Sequence, residues 1–169
     1  KLYKVIKYTH TKMGRGGANV KVTSRHLASG AIEEITFGAN QKVDEANTIK
    51  RKLQFLYKDT SSASFMDPKT YDQVEIPLSA LGDQASYIHE GENIDVLFWD
   101  EKPLSIELPP NIILTVAETD PGVKGNSAVN IYKPALLENG LKVKVPLFIN
   151  SGDKVKVDTR TGEYVERAK

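Results

Sequence analysis

The 169-residue chain has no cysteine, which removes disulfides, thiolate nucleophiles and cysteine metal sites together. No apolar run approaches the roughly 18 residues of a membrane-spanning helix, and no signal peptide is visible. The expectation is therefore a cytoplasmic protein with no membrane partner. Histidine is sparse: His10, His26 and His89 lie in separate segments, without i, i+4 spacing or an H-E-x-x-H pattern. Each reads as a surface or strand-end residue. A nucleophile elbow and a P-loop are both missing, since Gly14-Arg15-Gly16-Gly17 lacks the G-K-[ST] ending and the helix that should follow. Carboxylates gather in the middle of the chain, but Glu90, Glu92, Asp95, Asp100 and Glu101 read as solvated turn and outward-strand positions. Enzymatic chemistry thus has no residue behind it, and no catalytic residue, metal or cofactor is expected.

What the chain does have is Thr11-Lys12-Met13-Gly14-Arg15-Gly16-Gly17-Ala18, one guanidinium set between glycines just before an alternating segment. Glycines on both sides let the backbone turn tightly and approach another molecule closely. This is the geometry of a fingertip, although a plain basic hairpin turn has the same composition.

Charge is unevenly placed. Residues 1–60 hold 12 Lys/Arg against 5 Asp/Glu, residues 61–110 hold 2 against 10, and residues 111–169 hold 9 against 7. This segregation suggests that the first third faces a polyanion and the middle third does not.

Period-two alternation runs through the chain. Residues 2–8, 18–23 and 31–37 read as strands of a small antiparallel barrel, with the glycine-rich loop joining two of them. Leu53, Phe55 and Tyr57 begin a second run. Asp67-Pro68-Lys69-Thr70 reads as a type I turn into a strand over 71–76, and Pro77 as the N1 residue of a short helix over 78–88, weakened by Gly82. Ile94, Val96 and Phe98 share one face. A turn at 100–103 leads to a strand over 104–108, and Pro109-Pro110 marks a boundary. Alternation returns in Ile112, Leu114 and Val116, in Leu141, Val143 and Val145, and in Val155 and Val157. Gly91-Glu92-Asn93-Ile94-Asp95-Val96 and Gly152-Asp153-Lys154-Val155-Lys156-Val157 share a pattern that suggests two similar barrels. Phe55, Tyr57, Phe98 and Trp99 read as core or barrel-wall residues; Tyr164, near Arg167, fits either base stacking or packing. The fold class is all-β with almost no helix, built from small barrels of a kind that often binds nucleic acid.

Several stretches in order resemble the bacterial elongation factor P family: Met13-Gly14-Arg15-Gly16, Leu53-Gln54-Phe55-Leu56-Tyr57, Phe65-Met66-Asp67, Glu107-Leu108-Pro109, residues 118–125, Lys133-Pro134-Ala135, residues 140–146 and residues 157–165. The resemblance implies an N-terminal SH3-like, KOW-type domain over 1–46 and two OB-fold barrels over 47–109 and 110–169, together elongated and tRNA-like. Because the chain opens at Lys1-Leu2-Tyr3 in what reads as mid-strand, the family's first strand is expected to precede it. It further implies a non-enzymatic, monomeric factor that binds the 70S ribosome between the peptidyl and exit sites and rescues ribosomes stalled on consecutive prolines. Its tip loop, here Met13, Gly14, Arg15, Gly16 and Gly17, reaches the acceptor end of peptidyl-tRNA. Candidate RNA contacts are Lys12, Lys21, Arg25, Gly125, Asn126, Ser127, Tyr164 and Arg167, with mRNA at the exit-site codon a further partner.

Three departures from the family pattern stand out. Arg15 replaces the more usual lysine; some arginine-type members carry rhamnose there, and lysine-type members a lysine-derived extension, so Arg15 is a candidate modification site for a dedicated enzyme. Met13 replaces a proline, and Gly125-Asn126-Ser127 replaces Gly-Asp-Thr. The alternatives are the elongation factor P-like paralogue and a general single-stranded nucleic-acid-binding OB protein.

Overall fold

In the computed structural model the described residues are 1–12, 14, 17–121 and 131–169. The chain divides into two compact units, Lys1–Glu107 and Leu108–Lys169.

The first unit begins with an antiparallel sheet of β1 (Tyr3–Thr11), β2 (Asn19–His26) and β3 (Ile32–Phe37), in that order. The glycine-rich loop joins β1 to β2, and the last pair of the ladder below it is Thr11 with Asn19. A bulge between Val5 and Lys7 gives β1 one extra residue. Alternation sorts this sheet into two faces. Val5, Tyr8, Val20, Val22 and Ile35 lie on one, and Lys7, Thr9, Lys21, Thr23 and Glu34 on the other. Only Ser24 and Leu27 are buried among the described residues before β4.

A five-stranded sheet follows, comprising β4 (Ile49–Lys58), β5 (Ser62–Met66), β6 (Gln73–Pro77), β7 (Asn93–Trp99) and β8 (Lys102–Glu107), ordered β6-β5-β4-β7-β8. Leu53, Phe55, Ala63, Phe65, Ile76, Ile94, Val96, Phe98 and Ile106 fill its interior, with the Phe55 and Phe65 ring centroids 5.4 Å apart. The second unit repeats the plan with β9 (Asn111–Thr119), β10 (Tyr132–Leu137), β11 (Lys142–Pro146), β12 (Lys154–Asp158) and β13 (Tyr164–Arg167), ordered β11-β10-β9-β12-β13. Leu114, Val116, Ala135, Leu137, Val143, Val145, Ile149, Val155 and Val157 form its core. In both sheets the first strand lies between the second and the fourth. The two glycine-acid hexapeptides lead into the equivalent strands β7 and β12. The all-β expectation therefore holds, as three sheets with a KOW-like domain followed by two OB-fold domains.

Several local expectations are corrected. The helix read over 78–88 is a four-residue turn of helix, α1 (Leu78–Leu81), followed by a 3-10 turn over Gly82–Ser86. Gly82 has φ +56°, which ends the α-helix, and Pro77 is the N-cap residue, not the N1 residue. The turn at Asp67 is wider than type I: the Tyr71 N–H donates to the Asp67 carbonyl at 2.8 Å, Tyr71 has φ +62°, and β6 starts only at Gln73. Asp100 and Glu101, at φ +49° and +60°, turn the chain directly into β8. Pro103 consequently lies inside β8, at the sheet edge where its missing N–H costs nothing. Strands β5 and β10 were not foreseen from alternation. Of the aromatics read as core or barrel wall, Phe55 and Phe98 are core, while Tyr57 and Trp99, 49% and 42% exposed, stand near the ends of β4 and β7.

The charge division is also redrawn. Lys50, Arg51, Lys52 and Lys58, counted with the basic first third, belong to β4 of the second sheet. Most are engaged there: Lys50 pairs with Glu107 at 2.6 Å, the Arg51 guanidinium lies 4.9 Å over the Phe98 ring, and Lys58 Nζ donates to the Ala85 carbonyl at 2.9 Å.

Candidate nucleic-acid interface

The β1–β2 hairpin carries the predicted tip. Lys12, Gly14 and Gly17 are exposed, and a methyl group added at Gly14 would meet nothing within 4 Å. Gly17 is closer to the body: a Cβ there would stand 3.6 Å from the Ala39 Cβ, in the turn after β3. Met13, Arg15 and Gly16 lie outside the described residues, as do Gly125, Asn126 and Ser127.

Below the tip, the polar face of the hairpin presents Lys7, Thr9, Lys21 and Thr23, with Lys21 ion-paired to Glu34 on β3. The opposite face lines an open concavity of about 720 Å³ with Val5, Val20, Val22, Ile35, Phe37 and Val43. Arg25 points away from the tip. Its guanidinium covers Gly82 at the start of the 3-10 turn, where an added Cβ would lie 3.0 Å from the Arg25 Cζ. Lys4, on the neighbouring strand, sends Nζ to the Ile106 carbonyl at 3.3 Å, and burial pushes its pKa down. Sequence reasoning missed Lys4, and it could not have paired Arg25 with Gly82, because the partners are far apart in the chain.

In the second unit, Tyr164 and Arg167 share the short strand β13. Arg167 Nη2 reaches Asp153 Oδ1 at 3.5 Å, and Tyr164 is half-buried, with burial raising the phenol pKa. The turn between β12 and β13 is tightly bonded. Asp158 Oδ1 accepts the Arg160 N–H at 2.8 Å, Asp158 Oδ2 pairs with Arg160 at 3.0 Å, and the Gly162 N–H donates to the Asp158 carbonyl at 2.8 Å. The Arg160 guanidinium holds the Asp158 carboxyl below its usual range. Thr159 ties this turn to the start of β9, its hydroxyl donating to the Pro109 carbonyl at 2.6 Å and its N–H to Pro110 at 2.9 Å. Among the described residues no group of three or more His, Asp or Glu side chains could hold a metal ion, and no helix is long and apolar enough to cross a membrane.

Three family profiles cover the chain in order: the elongation factor P KOW-like domain over residues 1–43, the elongation factor P OB domain over 48–106, and the elongation factor P C-terminal domain over 112–167. The chain belongs to the elongation factor P family of translation factors. An elongation factor P from Saccharopolyspora erythraea is 45% identical over 166 residues, covering 98% of this chain and 88% of that protein. Those from Pelotomaculum thermopropionicum and Gloeothece citriformis are 44% and 43% identical, each covering 98% of this chain and 90% of the relative. Among solved structures, a translation initiation factor 5A from Methanococcus jannaschii matches 62% of this chain and 77% of its own at 21% identity, with a TM-score of 0.44. The family's KOW-like profile spans the whole β1–β2–β3 sheet, so the glycine-rich loop is a loop of that domain.

Proposed function

We propose that the chain binds the 70S ribosome between the peptidyl and exit sites and holds the acceptor end of peptidyl-tRNA in a reactive pose when consecutive prolines stall synthesis. The observation that carries this reading is that the glycine-flanked Arg15 of the sequence falls between the paired strands β1 and β2, where the resemblance to the family puts its tip loop. Its flanks, Lys12, Gly14 and Gly17, are open to solvent.

The physical logic is positional. Proline's ring restricts its approach as donor and acceptor, so a factor that orients the tRNA end lowers the entropic part of the barrier without taking part in bond making. A guanidinium bridges phosphates or stacks on a base, and glycine neighbours keep bulk out of its way. In this reading residues 1–46 form the tip domain, 47–109 the middle barrel and 110–169 the last barrel. Lys12 and Lys21 face RNA beside the tip; Tyr164, Arg167 and the 125–127 loop face RNA and the exit-site codon. Arg15 is also the residue a modifying enzyme would extend, and the place of work is the cytoplasm, with the ribosomes.

Arg15→Ala tests the proposal in reconstituted translation. It should leave folding and ribosome binding intact but slow passage through a Pro-Pro-Pro motif. Equal rates for variant and parent would overturn the role of the tip. Tight binding to free oligonucleotides, with no preference for ribosomes carrying peptidyl-tRNA, would favour a general nucleic-acid-binding protein instead.

A further inference from the structure

Among the described residues before β4 only Ser24 and Leu27 are buried, and the apolar face of the first sheet is open. Contacts from β1, from β2 and from the turn after β2 join it to the second barrel. Gly30, in the turn between β2 and β3, has φ +73° and lies with its backbone against α1. A methyl group there would fall on the carbonyl oxygen of Ser79 and 2.6 Å from its carbonyl carbon, so the obstacle is backbone that cannot swing aside. The Arg25 guanidinium lies against Gly82, and Lys4 Nζ bonds to the Ile106 carbonyl.

The receiving segment is itself distinctive. Between its third and fourth strands the second barrel inserts residues 78–92, with α1 and the 3-10 turn, where the last barrel has only residues 147–153. The longer connection supplies both Ser79 and Gly82. Two copies of one barrel plan therefore differ at the place where the first sheet is seated.

We propose that Gly30, Arg25 and Lys4 form a clamp on α1, the 3-10 turn and β8, and that this clamp sets where the Thr11–Asn19 end of the hairpin is carried. They are positioning residues for the tip role proposed above, and the inference rests on that reading. Close approach at Gly30 keeps the sheet at one distance, and the two cationic side chains keep it from rotating about that point. The tip is thereby presented by a rigid two-sheet body, and orientation errors at its far end stay small.

The chain has no cysteine, so nitroxide labels can be placed on Thr9→Cys and Glu75→Cys alone, both at exposed strand positions on opposite sides of the clamp. Pulsed electron resonance on the parent should give one narrow distance distribution. Gly30→Ala should broaden or shift it, and should slow synthesis through Pro-Pro-Pro at saturating factor by about 10-fold or more while the half-saturating concentration stays within about 3-fold. Gly91→Ala is the matched control, since Gly91 has φ +86° and an added Cβ meets nothing within 4 Å; both readouts should stay with the parent. Should Gly30→Ala fail to fold, the double variant Arg25→Ala, Lys4→Met loosens the clamp without adding atoms and should show the same changes. An unaltered distribution in the clamp variants overturns the clamp, and a broadened distribution with full rate overturns its positioning role. A parent that does not accelerate Pro-Pro-Pro synthesis overturns the function reading and the positioning role with it, while the distance distributions still decide whether the clamp exists.

Discussion

Phe55 and Val116 make the same two backbone hydrogen bonds in two different barrels. The Phe55 carbonyl accepts the Gly91 N–H at 2.8 Å and its N–H donates to the Glu92 carbonyl at 2.8 Å; the Val116 carbonyl accepts the Gly152 N–H at 2.8 Å and its N–H donates to the Asp153 carbonyl at 2.8 Å. The acid after each glycine completes the likeness. Glu92 Oε2 accepts the His89 N–H at 3.2 Å, and Asp153 Oδ2 accepts the Asn150 N–H at 2.9 Å. The hexapeptide repeat is thus a structural device: a left-handed glycine lets the chain fold back on the first strand, beside the register shift that follows Phe55 in β4 and Val116 in β9, and enter the fourth.

The two glycines should respond alike to substitution. Both have φ near +90°, and a Cβ at either meets nothing within 4 Å, so alanine adds left-handed strain and no clash. Gly91→Ala and Gly152→Ala are each expected to cost about 1–2 kcal/mol in urea unfolding followed by circular dichroism. A loss in one and none in the other would break the equivalence.

Trp99 is the chain's one tryptophan and stands 42% exposed at the end of β7. Acrylamide should quench its fluorescence readily in the folded protein, and Trp99→Phe should shift stability by no more than about 0.5 kcal/mol. A blue-shifted, unquenched emission would return it to the core.

Asp67 anchors the wide turn between β5 and β6, its Oδ1 accepting N–H groups from Lys69 at 2.8 Å and Thr70 at 3.3 Å. These bonds favour the carboxylate and hold its pKa below the usual range. A pKa lowered by folding gives stability that is present above the unfolded value of about 3.9 and is lost as pH falls through the folded value. Asp67→Asn keeps an acceptor but cannot titrate. The variant should therefore lose less stability than the parent between pH 5 and acid, measured by urea midpoints, and an unchanged acid profile would count against the turn's role.

Lys133 points into the last barrel from β10, is 6% exposed, and donates its ammonium to the Asp120 carbonyl. Lys133→Met retains the apolar stem and removes the bond, so the second unit should lose about 1.5–3 kcal/mol, the range for a hydrogen bond from a charged donor. A variant as stable as the parent would mean that the bond contributes nothing net.

The strands that could be read from the sequence are those whose partners did not matter. Leu114 and Val116, Val143 and Val145, and Val155 and Val157 alternate with polar residues, and period two alone places them on an inner face. Strand β5 escaped notice because its core face holds only Ala63 and Phe65, and a single alanine before the phenylalanine is too weak an alternation to mark a strand. Strand β10 escaped because Lys133 points inward and Pro134 interrupts a non-edge strand, a position that alternation and proline rules both argue against. The charge pattern misled for a different reason. A count by sequence thirds put the cations of β4 with the basic first third, whereas its lysines and arginine are largely engaged by Glu107, Phe98 and Ala85 of the second barrel.

The glycine-flanked Arg15, the all-β class and the two-fold hexapeptide repeat were determined by sequence alone, because each depends on residue types at short spacing: backbone freedom, side-chain alternation and a turn. Tertiary structure decided which cations remain available to a partner and which are used internally, and it decided that Gly30, Arg25 and Lys4 meet Ser79, Gly82 and Ile106. Those pairings lie from about fifty to about a hundred residues apart in the chain. No local pattern encodes them; they arise when one sheet seats on the helical connection and edge strand of another and the residue that fits the narrowest gap is one without a side chain.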